Sequence, residues 1–173
     1  MEPITEEHIE AAANELKGKE LTQAEDVMVI IHQDQPAVMD FISGEEHADL
    51  NEDERELLIY FTVLTWLAFK KAYEAVPPVS EDLLREVEDG NVSQLESLQQ
   101  QDNESMTSDM VDLVENFFQR PLLQYIIQGI MVEGEQDEDM EISEDNQGIM
   151  VFSLKTVIEA FDKVTSERLQ ASS

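Results

Sequence analysis

No cysteine occurs among the 173 residues, which removes disulfides, thiolate nucleophiles and zinc–thiolate sites together. Bases are nearly as scarce. Ten Lys and Arg face forty Asp and Glu, for a formal net charge of −30 and a pI near 4.1. A field of that sign repels nucleic-acid phosphates and anionic lipid, so neither is an expected partner. It attracts basic proteins, polyamines and divalent cations. Long apolar runs are missing too: the longest uncharged one, Leu57–Phe69, falls well short of the ~20 residues that span a bilayer and reads as a buried core helix. The opening Met1–Glu7 has neither the basic nor the apolar region of a signal peptide. With no cysteine to oxidise, a reducing, cytoplasmic setting is expected.

Catalytic signatures are equally sparse. There is no Gly-rich phosphate loop after a strand and no GxSxG elbow, and no serine is flanked by an evident base and orienting acid. His8, His32 and His47 are scattered and form neither HxxxH nor ExxH. His8 and His47 lie in acidic surroundings and are expected at the surface; His32 suits the C-terminal end of a helix. No cofactor is expected.

What remains is helical periodicity with clear punctuation. Thr5 opens a pattern carrying Ile9, Ala12, Ala13 and Leu16 that Gly18 ends. Thr22 with Glu25 reads as a capping box ahead of Ala24, Val27, Met28 and Ile31. Pro36 starts a short helix with Val38, Phe41 and Ile42, closed by Ser43-Gly44. The longest helix, 51–76, is capped near Asn51, begins with Glu52, Asp53 and Glu54, and ends with Lys70 and Lys71 before Pro77-Pro78. Its Trp66 is expected at the centre of the core. Ser80 caps the next helix, which Gly90-Asn91 is expected to break, and Gln99–Thr107 reads as a loop. Ser108 then opens a strongly apolar helix bearing Val111, Val114, Phe117 and Phe118, which Arg120-Pro121 splits from Leu122, Leu123, Ile126, Ile127 and Ile130. The last helix is expected over 153–169. Ile149–Phe152 admits either a helix start, which is preferred, or a strand in a small β-hairpin near 139–152. The fold expected is all-α: a single domain over 1–173, an irregular bundle of about six to eight helices around the central helix 51–76.

Two acidic segments interrupt the pattern. Residues 45–54 hold six acids, and 133–148 hold eight: Glu133, Glu135, Asp137, Glu138, Asp139, Glu141, Glu144 and Asp145. An EF-hand register fails, because Ile142 falls where the turn glycine belongs and Gly148 where the bidentate glutamate belongs. No defined metal site follows, and the plain reading is a pair of solvated acidic loops. The expected function is an interaction protein docking a basic protein partner through these carboxylates, those of 133–145 first. Two other readings draw on the same residues. Acidity with few lysines also suits a salt-adapted protein, whose charge then carries no binding role. The ExxE spacing of Glu135, Glu138, Glu141 and Glu144, facing Glu86 and Asp89, suits a Mg²⁺-dependent helical phosphohydrolase.

Overall fold

The computed structural model describes residues 1–17, 21–136 and 142–172, with side chains throughout except at 21–25, 46 and 132–136. These residues form eight α-helices and no strand. They are α1 (Glu6–Lys17), α2 (Leu21–Asp34), α3 (Pro36–Ser43), α4 (Glu52–Tyr73), α5 (Glu81–Gln99), α6 (Asn103–Glu115), α7 (Arg120–Gln136) and α8 (Glu144–Ala171). A 3₁₀ turn, Glu45–His47, leads from α3 towards α4.

At four helix starts a side chain satisfies an N–H group left without a carbonyl. At α4 the Asn51 side chain accepts from the Glu54 N–H at 2.8 Å, and the Glu54 carboxylate accepts from the Asn51 N–H at 2.9 Å, a complete capping box. Ser80, Asp102 and Ser143 cap α5, α6 and α8 in the same sense. Helix α4 stops at Tyr73, three residues before the expected limit. Glu74 takes φ 70° at the centre of a γ-turn, with the Ala75 N–H on the Tyr73 carbonyl at 2.8 Å, so the chain turns before Pro77 is reached.

Helices α4 and α8 form the centre, with α1 on α4, α5 on α8, and α7 against both. Phe61, Phe69 and Phe161 are fully buried, and the Phe69 and Phe161 rings meet edge-on with centroids 5.4 Å apart. Trp66 is 2% exposed, a core residue as expected, with the Lys70 ammonium 4.4 Å above its ring. Where α7 crosses α4, Gly129 faces the Phe61 ring so closely that a Cβ there would lie 2.5 Å from it, so the close approach requires glycine.

Three expectations are corrected. Gly90-Asn91 does not break α5: Asn91 is buried and donates to the Thr156 hydroxyl at 2.9 Å, so the packing on α8 offsets glycine's low helix propensity. The helix expected to open at Ser108 begins at Asn103 under an Asp102 cap, and none of its residues is buried despite the apolar Met110, Val111, Leu113 and Val114. The preferred reading of Ile149–Phe152 holds: it is helical, within α8, which starts at Glu144, and the alternative strand does not form over 149–152; residues 139–141 lie outside the described set. Thr22 falls inside α2 rather than before it.

Candidate functional site

The carboxylates singled out from sequence divide three ways. Asp137, Glu138, Asp139 and Glu141 lie outside the described residues, while Glu133 and Glu135 fall in the last turns of α7, their side chains undescribed. Glu144 and Asp145 are exposed in the first turn of α8. In the other segment Glu54 is withdrawn from the surface. Besides its capping bond it accepts from the Asn146 amide at 2.9 Å and the Ser143 N–H at 3.3 Å, tying the start of α4 to the start of α8. Glu86 and Asp89 are exposed on α5, and among the described residues no three His, Asp or Glu side chains converge as metal ligands do.

A larger concavity lies elsewhere among the described residues. A groove of about 880 Å³ runs between α5, the first half of α8 and the 3₁₀ turn, and a hollow of about 430 Å³ prolongs it between α3 and the start of α5. The two share Phe41, Arg85 and Glu88 and so form one trough. The α5 residues lining it recur at helical spacing from Glu81 through Leu84, Glu88, Val92 and Leu95 to Gln99. Ile149, Phe152, Ser153 and Thr156 supply a matching stripe from α8. Asp145 stands one turn before Ile149 on that stripe.

Six carboxylates line the trough (Asp40, Glu45, Glu81, Glu88, Asp89 and Glu96) against one guanidinium, that of Arg85. Its floor is apolar, formed by Phe41, Val92, Leu95 and Phe152. At the floor sits a correction to the sequence reading: His47 is 4% exposed, not a surface residue. Its Nδ1 lies 3.1 Å from the Phe41 carbonyl, which can only accept, so Nδ1 carries the proton. In the neutral ring Nε2 is then an acceptor, and the Ser153 hydroxyl donates to it at 2.7 Å. Ser153 is in the interior of α8, where backbone N–H groups serve the helix. The pair therefore fastens the 3₁₀ turn to α8.

Beside it, Lys155 is buried with its ammonium on the Asn91 carbonyl at 2.6 Å and on the Glu159 carboxylate. A second polar cluster closes the opposite end of α8. Fully buried Gln119 accepts from the Ile4 N–H at 2.8 Å and donates to the Tyr73 hydroxyl at 2.9 Å and to Asp162 at 2.7 Å. The Tyr73 hydroxyl in turn donates to the Glu2 carbonyl at 2.5 Å, so the first residues are strapped to α4 and α7. Burial pushes the Asp162 carboxyl up to about 7, the Gln119 hydrogen bond opposing and the Glu159 charge adding to it. Burial likewise raises the Tyr73 phenol.

The trough was missed from sequence because its signal depends on α5 being continuous. Once Gly90-Asn91 is read as a break, the stripe from Glu81 to Gln99 divides into two short turns. Comparison of the chain with protein-family models, with curated proteins and with solved structures finds no match. The site's own chemistry therefore carries the functional argument.

Proposed function

We propose that this is an interaction protein that docks a basic protein partner through its surface carboxylates. The observation that carries the reading is how the few cations are employed. Lys155 is buried on Glu159 and Asn91, and Lys71 pairs with Glu15 at 2.8 Å. Lys70 lies over Trp66, while Arg55 and Arg168 donate to the backbone carbonyls of Ala48 and Tyr73. Half of the ten bases thus have internal tasks, and most of the forty acids have little of the chain's own charge to balance them. A partner with Lys and Arg would supply what is lacking. The long-range field would raise its encounter rate, and burial of a few apolar contacts would hold it.

Immobilised protein should retain a partner of basic isoelectric point from its native cytoplasm at low salt. The complex should weaken steeply as the Debye length falls from ~10 Å at 0.1 M salt to ~3 Å at 1 M. Recovery of no basic partner, or an affinity indifferent to salt, overturns the proposal. The salt-adapted reading gives a different outcome: no partner at any ionic strength, with a melting temperature that keeps rising to molar salt.

A further inference from the structure

We infer that the trough along α5 is the docking site, and that it seats one amphipathic helix of the partner with an apolar ridge between two basic flanks. This rests on the reading that the partner is basic; it adds where the partner binds and in what shape. The trough's length gives the first argument. Its α5 wall runs from Glu81 to Gln99, the whole helix, which at ~1.5 Å per residue is about 27 Å and matches five turns of a second helix.

Its walls give the second. Stripes at three- and four-residue spacing on α5 and α8 are the ridges between which another helix packs. Among the described residues there is no sheet edge for an extended peptide to join. Val92 is the third: it is 45% exposed at the middle of the α5 stripe, an apolar side chain lining the trough that the chain itself leaves uncovered.

Charge selects the occupant. Lys or Arg flanking an apolar ridge would meet Asp40, Glu45 and Glu81 towards one end of the trough, Glu88 and Asp89 at its middle and Glu96 towards the other. Arg85 is one base against the six carboxylates that line the trough, so the surface stays acidic. A second copy of this chain would bring another −30 to the same surface and is disfavoured by that repulsion.

The test uses the full chain and a defined probe: a synthetic 18-residue peptide with leucines on one helical face and lysines on the rest. A scrambled peptide of the same composition serves as control. Titration calorimetry in ~0.15 M salt, where exposed charges beyond ~8 Å are screened, should give one saturable site for the patterned peptide and much weaker binding of the scrambled one. Val92→Asp should weaken the patterned peptide at least ~tenfold, and Glu81→Lys with Asp89→Lys should do likewise. Reversing the exposed Glu6, Glu7 and Glu10 of α1, which line no part of the trough, should change it less than ~threefold. Unchanged melting curves show that the variants fold, as expected for exposed positions. If the α1 reversals weaken binding as much as Val92→Asp, or the scrambled peptide binds equally well, the trough is not the site, although the charge-driven reading survives. If neither cationic peptide binds, both fail.

Discussion

Helices α8 and α6 are built from similarly mixed sequence and end in opposite environments. In α8 every residue from Met150 to Ile158 is buried, Ser153, Lys155 and Thr156 included. In α6 no residue is buried, and Val111 is 50% exposed. The difference lies in what surrounds each. Helix α8 is enclosed by α4, α5 and α7, and each polar side chain in its stretch Met150–Ile158 has a partner: Ser153 on His47, Lys155 on Asn91 and Glu159, Thr156 on Asn91 and the Phe152 carbonyl. Helix α6 rests mainly on parts of α5 and α7, with Leu113 and Val114 half-buried. All-round burial of a helix with polar residues is stable when those residues are paired, since an unpaired buried polar group costs ~1–3 kcal/mol.

The largest test of the contrast is Phe161→Ala in α8. Its fully buried ring touches Phe69, and its removal should cost ~3–5 kcal/mol, read as a lower denaturant midpoint with unchanged slope. A loss below ~1 kcal/mol would mean that the α4–α8 seam relaxes freely and is no tighter than α6.

What sequence could reveal follows the same divide. Apolar spacing and caps located the all-α bundle, the Asn51 and Ser80 starts, Pro36, and Trp66 in the core, because those signals are local. The burial of His47, Asn91, Gln119 and Lys155 was not legible. Each is made tolerable by a partner distant in the chain, such as Ser153 for His47 across 106 residues, and no local pattern announces such a pairing. Apolar side chains misled in the other direction: Val111 of α6 and Phe118 just beyond it have core character, yet both are exposed. Of the candidate site, the surplus of carboxylates was plain from composition, whereas their convergence along α5 needed the third dimension.

The next effect in size concerns Asp162 on α8. Its folded carboxyl holds a proton more tightly than the unfolded chain does, so between ~4, where the unfolded group ionises, and about 7 the folded state progressively loses stability. Below that window both states are protonated and no penalty exists; above it the penalty is complete. Asp162→Asn keeps an acceptor for Gln119 without the charge. The variant should therefore exceed wild type at pH 8 by at most ~4 kcal/mol and match it at pH 4, by urea denaturation at each pH. The exposed Glu167→Gln removes the same formal charge and should show no such pH dependence. Equal behaviour of the two variants would place Asp162 in an environment no different from the surface.

Asp102, the cap of α6, carries the opposite sign and the smallest global effect. The Ser105 backbone N–H and hydroxyl, then the Glu104 N–H, hold its carboxylate below the usual range at a fully exposed site. Its contribution is present above ~4 and fades as pH falls through the lowered value. Because α6 buries nothing completely, the cap should govern local opening of that helix and not unfolding of the bundle. Asp102→Ala should lower amide-exchange protection in α6 at neutral pH, with wild type approaching the variant in strongly acidic buffer. Amides of Met150–Ile158 and the global midpoint should not move. Joint acceleration of α6 and α8 amides would show the two helices opening as one unit, and burial would then be a poor guide to where this bundle first comes apart.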